Sequence, residues 1–440
     1  RDSLQRSMLH ILSNTAAFVF ALGVIIFVHE AGHLLVAKAF GMKVLAFSLG
    51  FGKRLFGWKV GETDYRISLF PLGGYVKLSG EEPGDATDDP RDFLNQPRWR
   101  RILVYLAGPT MNATLSILLI AGLFMVGIEV PALQSVPSVI GTVEAGSPGE
   151  AAGLRPGDEI VAIDGKPTSR WADVAFTVLT GIGKPIELEI QRDAQRSKVV
   201  VTPRKPADFD FGDAGIYPKL LPKIGDVVAG SPAEKAGFRL GDEVRSVDGR
   251  PLGSPTDFVE YIEKHTGATV AVEVRRDGAL TQLNVVPGDQ GGKGKIGVRL
   301  TVAERFPPLA ALRESVRFNY DIAKQSLAVI GKIFKREVAA KSALAGPIEI
   351  AAQSGAAART GFKNLLYLMG VLSLSIGLLN LFPIPVLDGG QIAILLVESA
   401  IRRDLSLAVK ERIAQVGLAI VVLLMVTVLY FDLSKNLLGK

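Results

Sequence analysis

The sequence has no cysteine among its 440 residues and only four histidines. The lack of cysteine excludes disulfides, cysteine zinc sites and cysteine nucleophiles. Any metal site must therefore be built from histidine, aspartate or glutamate. A strong excess of one charge is also missing, since the formal net charge is only +6. The basic residues cluster beside apolar segments. That distribution suits a membrane surface better than a nucleic acid, so no nucleic-acid partner is expected.

Apolar residues are abundant, at 48% of the chain, and they occur together with 21% charged residues. This balance favours a membrane protein that also carries sizeable soluble domains. Four apolar stretches are long enough to cross a bilayer as helices, at about 1.5 Å per residue. They begin near residues 16, 102, 365 and 414.

The sequence His-Glu-Ala-Gly-His at 29–33 lies inside the first apolar stretch. On a helix His29 and His33 share a face, so both imidazoles can bind one metal ion while Glu30 is left free to hold a water. The alternative is a pair of ordinary helix histidines with an acid between them by chance. A membrane segment disfavours that alternative, because a central charged residue costs roughly 2.5–3.5 kcal/mol there. A bound cation would compensate the charge of Glu30.

The first stretch also resembles a secretory signal, with Ala37-Lys38-Ala39 imitating a cleavage site. Cleavage there would discard the histidine motif, and the helix continues past the usual signal length, so a membrane span is preferred. More basic residues follow the stretch than precede it. The positive-inside rule then puts the N-terminus outside and residue 43 onward in the cytoplasm.

A second unusual stretch runs from Asn380 to Gly390, within the third apolar segment. Its two prolines and two glycines must break the helix, and broken backbone at membrane depth survives only where it lines a cavity or is buried in protein. Asp388 lies at this break. Spans one and three run in the same direction, so Asp388 and His33 both lie near cytoplasmic ends and can meet. Asn380 either donates a hydrogen bond to substrate or oxyanion, or braces the loop.

Two histidines and one carboxylate with an open fourth position are typical of a hydrolytic zinc site. Zinc brings the pKa of its bound water near neutrality, and Glu30 can take the proton as general base and later return it to the leaving amine. The charges also balance, since Glu30 and Asp388 are negative and zinc carries two positive charges. Another divalent ion remains an alternative for the same ligands.

Two features lie close to the second span. The alternating residues Tyr65–Phe70, a turn at Pro71–Gly74 and the return through Tyr75–Leu78 predict a β-hairpin. It is either an ordinary surface hairpin, or an exposed edge near the metal that holds an extended peptide by backbone pairing. Within the span, Gly108 favours plain helix packing. Asn112 needs a polar partner in lipid, and it serves either packing or function.

The region from 136 to 288 contains an internal repeat. Residues 146–167 recur 84 residues later as 230–251, with 13 of 22 positions identical. Each copy has a short helix, a Gly-Asp turn, a strand and an Asp-Gly turn, and it resembles the PDZ domain in its bacterial, circularly permuted form. PDZ domains bind a peptide end by adding it as a strand. The resemblance implies receiving strands at Val139–Val143 and Ile224–Val228. The groove residues would be Ile140, Gly141, Ile224 and Gly225. The alternative is a pair of rigid spacers or size filters without a ligand.

Residues 308–336 predict a basic amphipathic helix. Its apolar positions recur at helical spacing, and five lysines and arginines accompany them. Such a helix either lies on an anionic membrane surface or packs on a neighbouring domain.

The chain as a whole resembles the site-2 protease family of intramembrane zinc metalloproteases. The signals are the 29–33 motif, the Pro71–Leu78 hairpin, the tandem PDZ repeat, Gly346-Pro347-Ile348, and the stretch Asn380–Gly389 of the type N-x-x-P-x-P-x-L-D-G. The resemblance implies that His29, His33 and Asp388 bind Zn²⁺ and that Glu30 is catalytic. Gln391 departs from the family, whose members often carry histidine there, but it lies outside the ligand set.

The resemblance also implies how substrate is handled. Members of the family cut single-span membrane proteins, such as anti-sigma factors, after a first protease has removed the outer part. The hairpin would clamp an unwound substrate helix. The implied substrate-binding residues are Asn380, Pro383, Pro385, Gly73, Gly74, Tyr75 and Val76, with Asn112 as a further candidate. The implied setting is a bacterial inner membrane, with a chain that acts as a monomer, PDZ domains on the periplasmic side and the active site towards the cytoplasm.

Two other classes of protein compete with an enzyme. A membrane scaffold would explain the repeat but leaves two acids and two histidines at membrane depth without a purpose. A metal transporter would explain buried ligands, but it needs further polar residues along a path, and the other spans offer few.

The predicted fold is a multi-pass α-helical membrane protein of four spans, with a membrane-associated β-hairpin region and two tandem α+β PDZ domains. The bilayer is therefore a partner, and peptide or substrate ends are expected at the PDZ domains. The predicted segments are 1–43, 44–101, 102–130, 136–206, 219–290, 305–362, 363–401 and 402–440.

Overall fold

A computed structural model describes residues 2–81, 87–127, 136–206, 211–289, 291–301 and 305–438. The chain forms two compact units. The first contains Arg1–Met125, Pro307–Ile333 and Ala339–Lys440, and the second contains Val126–Phe306 and Phe334–Val338. The last part of the predicted second span, at 128–130, lies outside the described residues.

The N-terminal part of the first unit consists of two long helices with a sheet between them. Helix α1 ends where Gly41 takes a left-handed φ of 71° and Met42 donates its N–H to the carbonyl of Ala37, as is common at helix C-termini. A short 3-10 helix at Phe93–Asn95 precedes the second long helix. The bounds are α1 Asp2–Ala39, β1 Val44–Val60, β2 Thr63–Leu78 and α2 Arg98–Val126.

Strands β1 and β2 both bend, so that two strands form a sheet four segments wide. Residues 44–49 of β1 pair on one edge with 74–78 of β2 and on the other edge with 64–67. Residues 54–60 then pair with 63–68. The strands predicted at 65–70 and 75–78 are confirmed, but their pairing with each other is wrong. The turn between them is wide enough for residues 44–49 to lie between the two segments and take the hydrogen bonds of both.

The second unit contains two modules of similar topology. In the first module, which runs from residue 136 to 219, the elements are β3 Ile140–Val143, α3 Pro148–Ala151, β4 Glu159–Ile163, β5 Lys166–Pro167, α4 Trp171–Thr180, β6 Ile186–Arg192, β7 Gln195–Val201 and β8 Ile216–Pro218. In the second module, residues 220–301, they are β9 Lys223–Val227, α5 Pro232–Ala236, β10 Glu243–Val247, β11 Arg250–Pro251, α6 Pro255–Lys264, β12 Val270–Arg276, β13 Ala279–Val285, β14 Gly288–Asp289, β15 Gly294–Lys295 and β16 Val298–Thr301.

Each module is closed by its last strand. β8 pairs antiparallel with β3, and β16 pairs antiparallel with β9. The domain ends predicted at 206 and 290 are therefore too early, because the last strand of each module completes its sheet beyond them. The internal repeat covers only the first part of each module and carries no signal for this late strand.

In the described C-terminal part of the chain, the regular elements are all helices. The break predicted in the third span is present, because the helix that ends at Asn380 is separated from the helix that begins at Asp388. The helices are α7 Pro308–Phe334, α8 Ala340–Ala343, α9 Pro347–Thr360, α10 Phe362–Asn380, α11 Asp388–Ile401 and α12 Leu407–Leu438.

Four helices in the described chain are long and apolar enough to cross a membrane, in agreement with the four predicted spans. Their apolar segments are Leu12–Ala39, Arg98–Val126, Phe362–Asn380 and Leu407–Ser434.

Helix α7 packs on α2 through a face that the sequence did not single out. Ala311, Ser315 and Asn319 are buried, and the side chain of Asn319 accepts a hydrogen bond of 2.6 Å from Ser116. The predicted apolar stripe instead contains exposed side chains such as Leu309 and Tyr320. The face through which the helix packs is therefore different from its apolar stripe and carries polar side chains.

Buried carboxylates hold both ends of α12. Near its C-terminus, Asp432 accepts hydrogen bonds from the backbone N–H groups of Gly346, Ile348 and Glu349 and so caps the start of α9. Near its N-terminus, Lys410 lies 2.7 Å from the fully buried Glu398 of α11. These contacts tie the fourth apolar helix to α9 and to the helix that carries Asp388.

The internal repeat preserves one buried ion pair. Arg192 donates to the carboxylate of Asp158 through Nε and Nη2, and the equivalent pair, 84 residues later, is Arg276 with Asp242. Both carboxylates are 1% exposed. Each pair fastens the turn after the short helix to the long central strand of its module.

We expect Asp158→Ala to destabilise the first module, because it removes two charge-assisted hydrogen bonds between Arg192 and a buried carboxylate. The matched control is Glu187→Ala, which removes an exposed pair with Lys198 in the same module and should change the stability of the module much less. Amide hydrogen exchange of β6 in the full-length protein measures both. Equal protection of β6 in the two variants would contradict the expectation.

Candidate metal centre

Three ligand atoms from two distant parts of the chain meet in the first unit. His29 and His33 lie one turn apart on α1, and Asp388 is the first residue of α11. The two Nε2 atoms are 3.2 Å apart, and Oδ2 of Asp388 lies 3.2 Å from Nε2 of His29 and 3.6 Å from Nε2 of His33. In the described part of the chain this is the group of three whose ligand atoms all lie within 4.8 Å of one another.

The geometry fits a small tetrahedral cation. With metal–ligand distances of about 2.0–2.1 Å, the edges of a tetrahedron measure about 3.3 Å, close to the three distances found. Both histidines are more than nine-tenths buried, and Oδ2 of Asp388 is buried without a hydrogen bond in the described chain. A buried carboxylate oxygen facing two imidazole nitrogens is stabilised by a positive charge between them, so the three ligand atoms fit a bound cation.

Helix α1, which carries the histidines, and helix α2, which packs beside them, cross at glycines. A methyl group on Gly32 would lie 2.5 Å from the carbonyl oxygen of Ala107 on α2. A methyl group on Gly108 would overlap His33 and lie 2.7 Å from Nε2 of His29. Gly108 was predicted to serve plain packing, but it also leaves the space in which both imidazoles stand. The sequence signal that could have shown this is its place one helical turn before Asn112.

The other nitrogen of each imidazole is held by α2. Nδ1 of His33 lies 2.7 Å from the carbonyl oxygen of Val104, which can only accept, so Nδ1 carries the proton and Nε2 presents its lone pair. Nδ1 of His29 lies 3.2 Å from the side-chain amide of Asn112, which is fully buried. The contact of Val104 could not be predicted, because a backbone carbonyl has no signal in the sequence.

Glu30 projects towards the sheet. Its carboxylate accepts a hydrogen bond from the backbone N–H of Val76, and a methyl group on Gly74 would lie 3.0 Å from Cγ of Glu30. The segment 74–78 pairs with 44–49 along one edge. Gly74 and Val76 of this segment therefore lie beside Glu30, which is next to the proposed ligand His29. Gly73 and Tyr75 lie next to Phe51.

The break before Asp388 is a tight loop that folds onto the start of α11. A methyl group on Gly389 or Gly390 would overlap the carbonyl groups of Leu381 or Ile384, so neither position accepts a side chain. Gln391 donates a hydrogen bond of 2.7 Å from Nε2 to the carbonyl of Pro385. Gln391 was noted only as a departure from a family pattern, yet it fastens the loop to the helix that carries Asp388.

The remaining predicted residues of this loop lie at its start. Asn380 is the last residue of α10, and its side chain has no hydrogen-bond partner among the described residues. Pro383 is exposed and Pro385 is half-buried, in contact with Gly417 of α12. The structure shows no contact of these three side chains with the metal ligands.

The predicted PDZ groove residues do not line a free strand edge. Ile140 and Gly141 lie in β3, which bonds to β8 on one side and to residues 158–160 on the other. Ile224 and Gly225 lie in β9, which likewise has β10 and β16 on its two edges. The prediction of β3 and β9 as receiving strands is therefore wrong. In the described residues, the strand order of each module ends at β8 or β16 instead.

A cavity of about 710 Å³ in the first module supports this correction. It lies between helix α4 and strand β8, and its walls include Trp171, Val178, Phe211, Ile216 and Tyr217. A strand with an open edge, facing a helix across an apolar groove, is the arrangement that accepts an extended peptide.

Comparison with known proteins supplies independent findings. The profile of peptidase family M50 matches residues 17–424. The regulator of sigma-E protease RseP of Salmonella typhimurium is 32% identical over 467 residues, covering 97% of this chain and all of the relative. The protein of the same name from Escherichia coli is 31% identical over 458 residues, with the same coverage. A Vibrio cholerae protein named as a candidate zinc metalloprotease is 32% identical over 459 residues, again with that coverage.

Among solved structures, the PDZ domain of the SdrC-like protein from Listeria monocytogenes is 24% identical. It covers 18% of this chain and 85% of its own, with a TM-score of 0.17.

We expect Gly108→Ala to lower the affinity for a divalent metal by at least about tenfold, because the added methyl group occupies the space of the imidazoles. Gly122→Ala is the matched control on the same helix, since nothing lies within 4 Å of its position. Metal content after dialysis against a graded chelator measures both variants. Equal retention of metal by the two would show that Gly108 serves only helix packing.

Proposed function

The chain belongs to peptidase family M50, the site-2 protease family of zinc metalloproteases, and on that premise we propose that it cleaves the membrane-spanning segment of single-span proteins. The observation that carries the proposal is the convergence of His29, His33 and Asp388, from two apolar helical regions, on one point. Because all three ligands and Glu30 come from one chain, the proposed site is complete in a monomer.

We assign His29, His33 and Asp388 as the ligands of Zn²⁺, with zinc supported by the family and by the distances between the ligand atoms. When bound, zinc acts as a Lewis acid that activates water at neutral pH. The chain's own contribution is to hold the ligands in place: α1 sets the spacing of the histidines, and the tight loop at 381–387 sets the position of Asp388. The side-chain amide of Asn380, at the start of this loop, has no partner among the described residues, so we assign it a hydrogen bond to the substrate backbone.

Glu30 is the proposed general base and acid. It takes the proton of the attacking water and delivers it to the amine that leaves when the peptide bond breaks. The N–H of Val76 donates to its carboxylate and so aims it from the sheet. This contact connects the catalytic acid to the strand segment that we propose as the substrate clamp.

A helical substrate hides its peptide bonds in its own hydrogen bonds, so it must become extended before it is cut. The outer edge of residues 74–78 offers backbone groups to an extended chain beside Glu30. Pro383 and Pro385 shape the opposite wall. Side chains on the distal part of the sheet are apolar and between 47% and 62% exposed, as suits a sheet in contact with the bilayer. They are Phe51, Leu55, Phe56, Trp58 and Phe70.

The proposed setting is a bacterial inner membrane. Basic residues lie at the same ends of the spans as the metal centre, including Lys38 in the last turn of α1, Arg98 and Arg101 at the start of α2, and Arg402 after α11. The positive-inside rule assigns that end to the cytoplasm. Two spans precede the modules, so we assign the modules to the periplasmic side. From the family resemblance we propose that the substrate is an anti-sigma factor, cut after another protease has acted.

Both modules are proposed to be PDZ domains whose grooves use β8 and β16. The cavity beside β8 supports a peptide or substrate end as ligand of the first module. The alternative is that the modules act as a size filter without a ligand. In that case, a peptide bound in the grooves should leave the cleavage of a short substrate unchanged.

We expect Glu30→Gln to abolish cleavage and to retain one zinc per chain, because the amide cannot accept the proton but is not a ligand. Asp388→Ala is expected to lose both zinc and cleavage. Zinc analysis of the purified variants and cleavage of a single-span protein in liposomes measure these outcomes. Continued cleavage by Glu30→Gln would refute the proposed role of Glu30, and zinc binding by Asp388→Ala would refute the ligand set.

We also expect cleavage to depend on how easily the substrate helix unwinds. Two leucine-to-glycine changes in an all-leucine span weaken the helix by about 2 kcal/mol and should raise the rate of cleavage by about tenfold or more. Initial rates for the two substrates at equal density in liposomes decide the point. An all-leucine span that is cut equally fast would show that unwinding does not limit the reaction.

A further inference from the structure

Asn112 is the buried polar residue whose contact with the metal centre is least explained. It is fully buried, and its Nδ2 lies 3.2 Å from Nδ1 of His29. Its Oδ1 is buried as well and has no hydrogen-bond partner in the described chain. A buried amide oxygen without a donor costs about 1–3 kcal/mol, so this orientation needs an explanation.

The proton on His29 decides which amide atom belongs at this contact. If Nδ2 donates to Nδ1, the proton of a neutral imidazole must be on Nε2, which is the nitrogen that faces Asp388 and His33. If His29 binds a metal through Nε2, Nδ1 carries the proton and needs an acceptor. A half-turn of the amide places Oδ1 at the contact, where it accepts the proton of Nδ1, and moves Nδ2 to the position that Oδ1 held.

The surroundings hold Asn112 in place for this contact. Ser373 of α10 donates a hydrogen bond of 2.9 Å to the backbone carbonyl of Asn112. A methyl group on Gly377 would lie 3.1 Å from Cβ of Asn112, so α10 approaches closely at this point. The residue is therefore enclosed between helices and is not open to a substrate chain, in contrast to the candidate role in substrate binding.

We propose that Asn112 is a positioning residue whose Oδ1 accepts the Nδ1 proton of His29 and thereby directs the lone pair of Nε2 to the zinc. The carbonyl of Val104 orients His33 in the same way, by accepting a hydrogen bond from its Nδ1. Both histidine ligands are thus oriented by acceptors on α2, one from the backbone and one from a side chain. The inference rests on the proposed zinc site and assigns the residue that fixes the tautomer of one of its ligands.

The test compares zinc affinity in full-length protein purified in detergent, by competition with a chelator, for the variants Asn112→Asp, Asn112→Leu and Ser116→Ala. Asn112→Asp keeps the acceptor and has no donor, so it should bind zinc within a few-fold of the unmodified protein. Asn112→Leu should lose about 10–100-fold. Ser116→Ala removes a buried hydroxyl one turn further along the same helix and should leave the zinc affinity unchanged. The visible spectrum of the Co²⁺-substituted protein reports the ligand field directly.

Three results would overturn the inference. If Asn112→Asp loses as much affinity as Asn112→Leu, the amide acts as a donor. If neither variant changes zinc affinity, Asn112 is a packing residue. If affinity is unchanged but KM rises, Asn112 contacts substrate. Should Asn112→Leu fail to fold, Asn112→Asp still separates acceptor from donor. If the unmodified protein does not bind zinc, the proposed zinc site itself fails, and this result is distinct from the other three.

Discussion

The attraction between a divalent cation and the half-buried carboxylates of Asp388 and Glu30 is the interaction on which the proposed site depends. Both residues lie in apolar helical regions, where an uncompensated negative charge is expensive. A cation between His29, His33 and Asp388 would remove that cost and would join the first span to the helix after the third. The same cation would provide the chemistry, so the requirement for stability and the requirement for hydrolysis would coincide at one point.

Close helix approach is the second constraint, and glycine supplies it. Gly32 and Gly108 allow α1 and α2 to cross near the imidazoles, and this crossing brings Val104 and Asn112 within reach of the outer nitrogens of the histidines. Gly389 and Gly390 similarly allow the loop at 381–387 to lie on the start of α11. In each case a backbone carbonyl occupies the space that a side chain would need. The glycines thus serve the geometry of the metal centre as well as helix packing.

Prediction from the sequence succeeded where the signal is local. The four apolar helices, the break before Asp388 and the strands at 65–70 and 75–78 follow from composition and periodicity over short windows. Prediction from the sequence failed where the contacting segments are far apart in the chain. The two strands of the supposed hairpin both pair with residues 44–49, and the free edge of the first module belongs to β8, far from the repeated segment that drew attention to β3. The apolar stripe of α7 was recognised, yet the helix packs through Ser315 and Asn319 instead.

The sequence by itself determined the chemistry of the site: without cysteine, the ligands had to be histidine and carboxylate, and 29–33 places two histidines one helical turn apart inside an apolar segment. The tertiary structure alone decided which atoms meet. The spacing of about 3.3 Å among the three ligand atoms, the carbonyl of Val104 beside His33 and the hydrogen bond from Gln391 to Pro385 all depend on how helices cross and loops fold back. Residue type and local periodicity are encoded in a short window, whereas a contact between remote segments depends on the packing of every element between them.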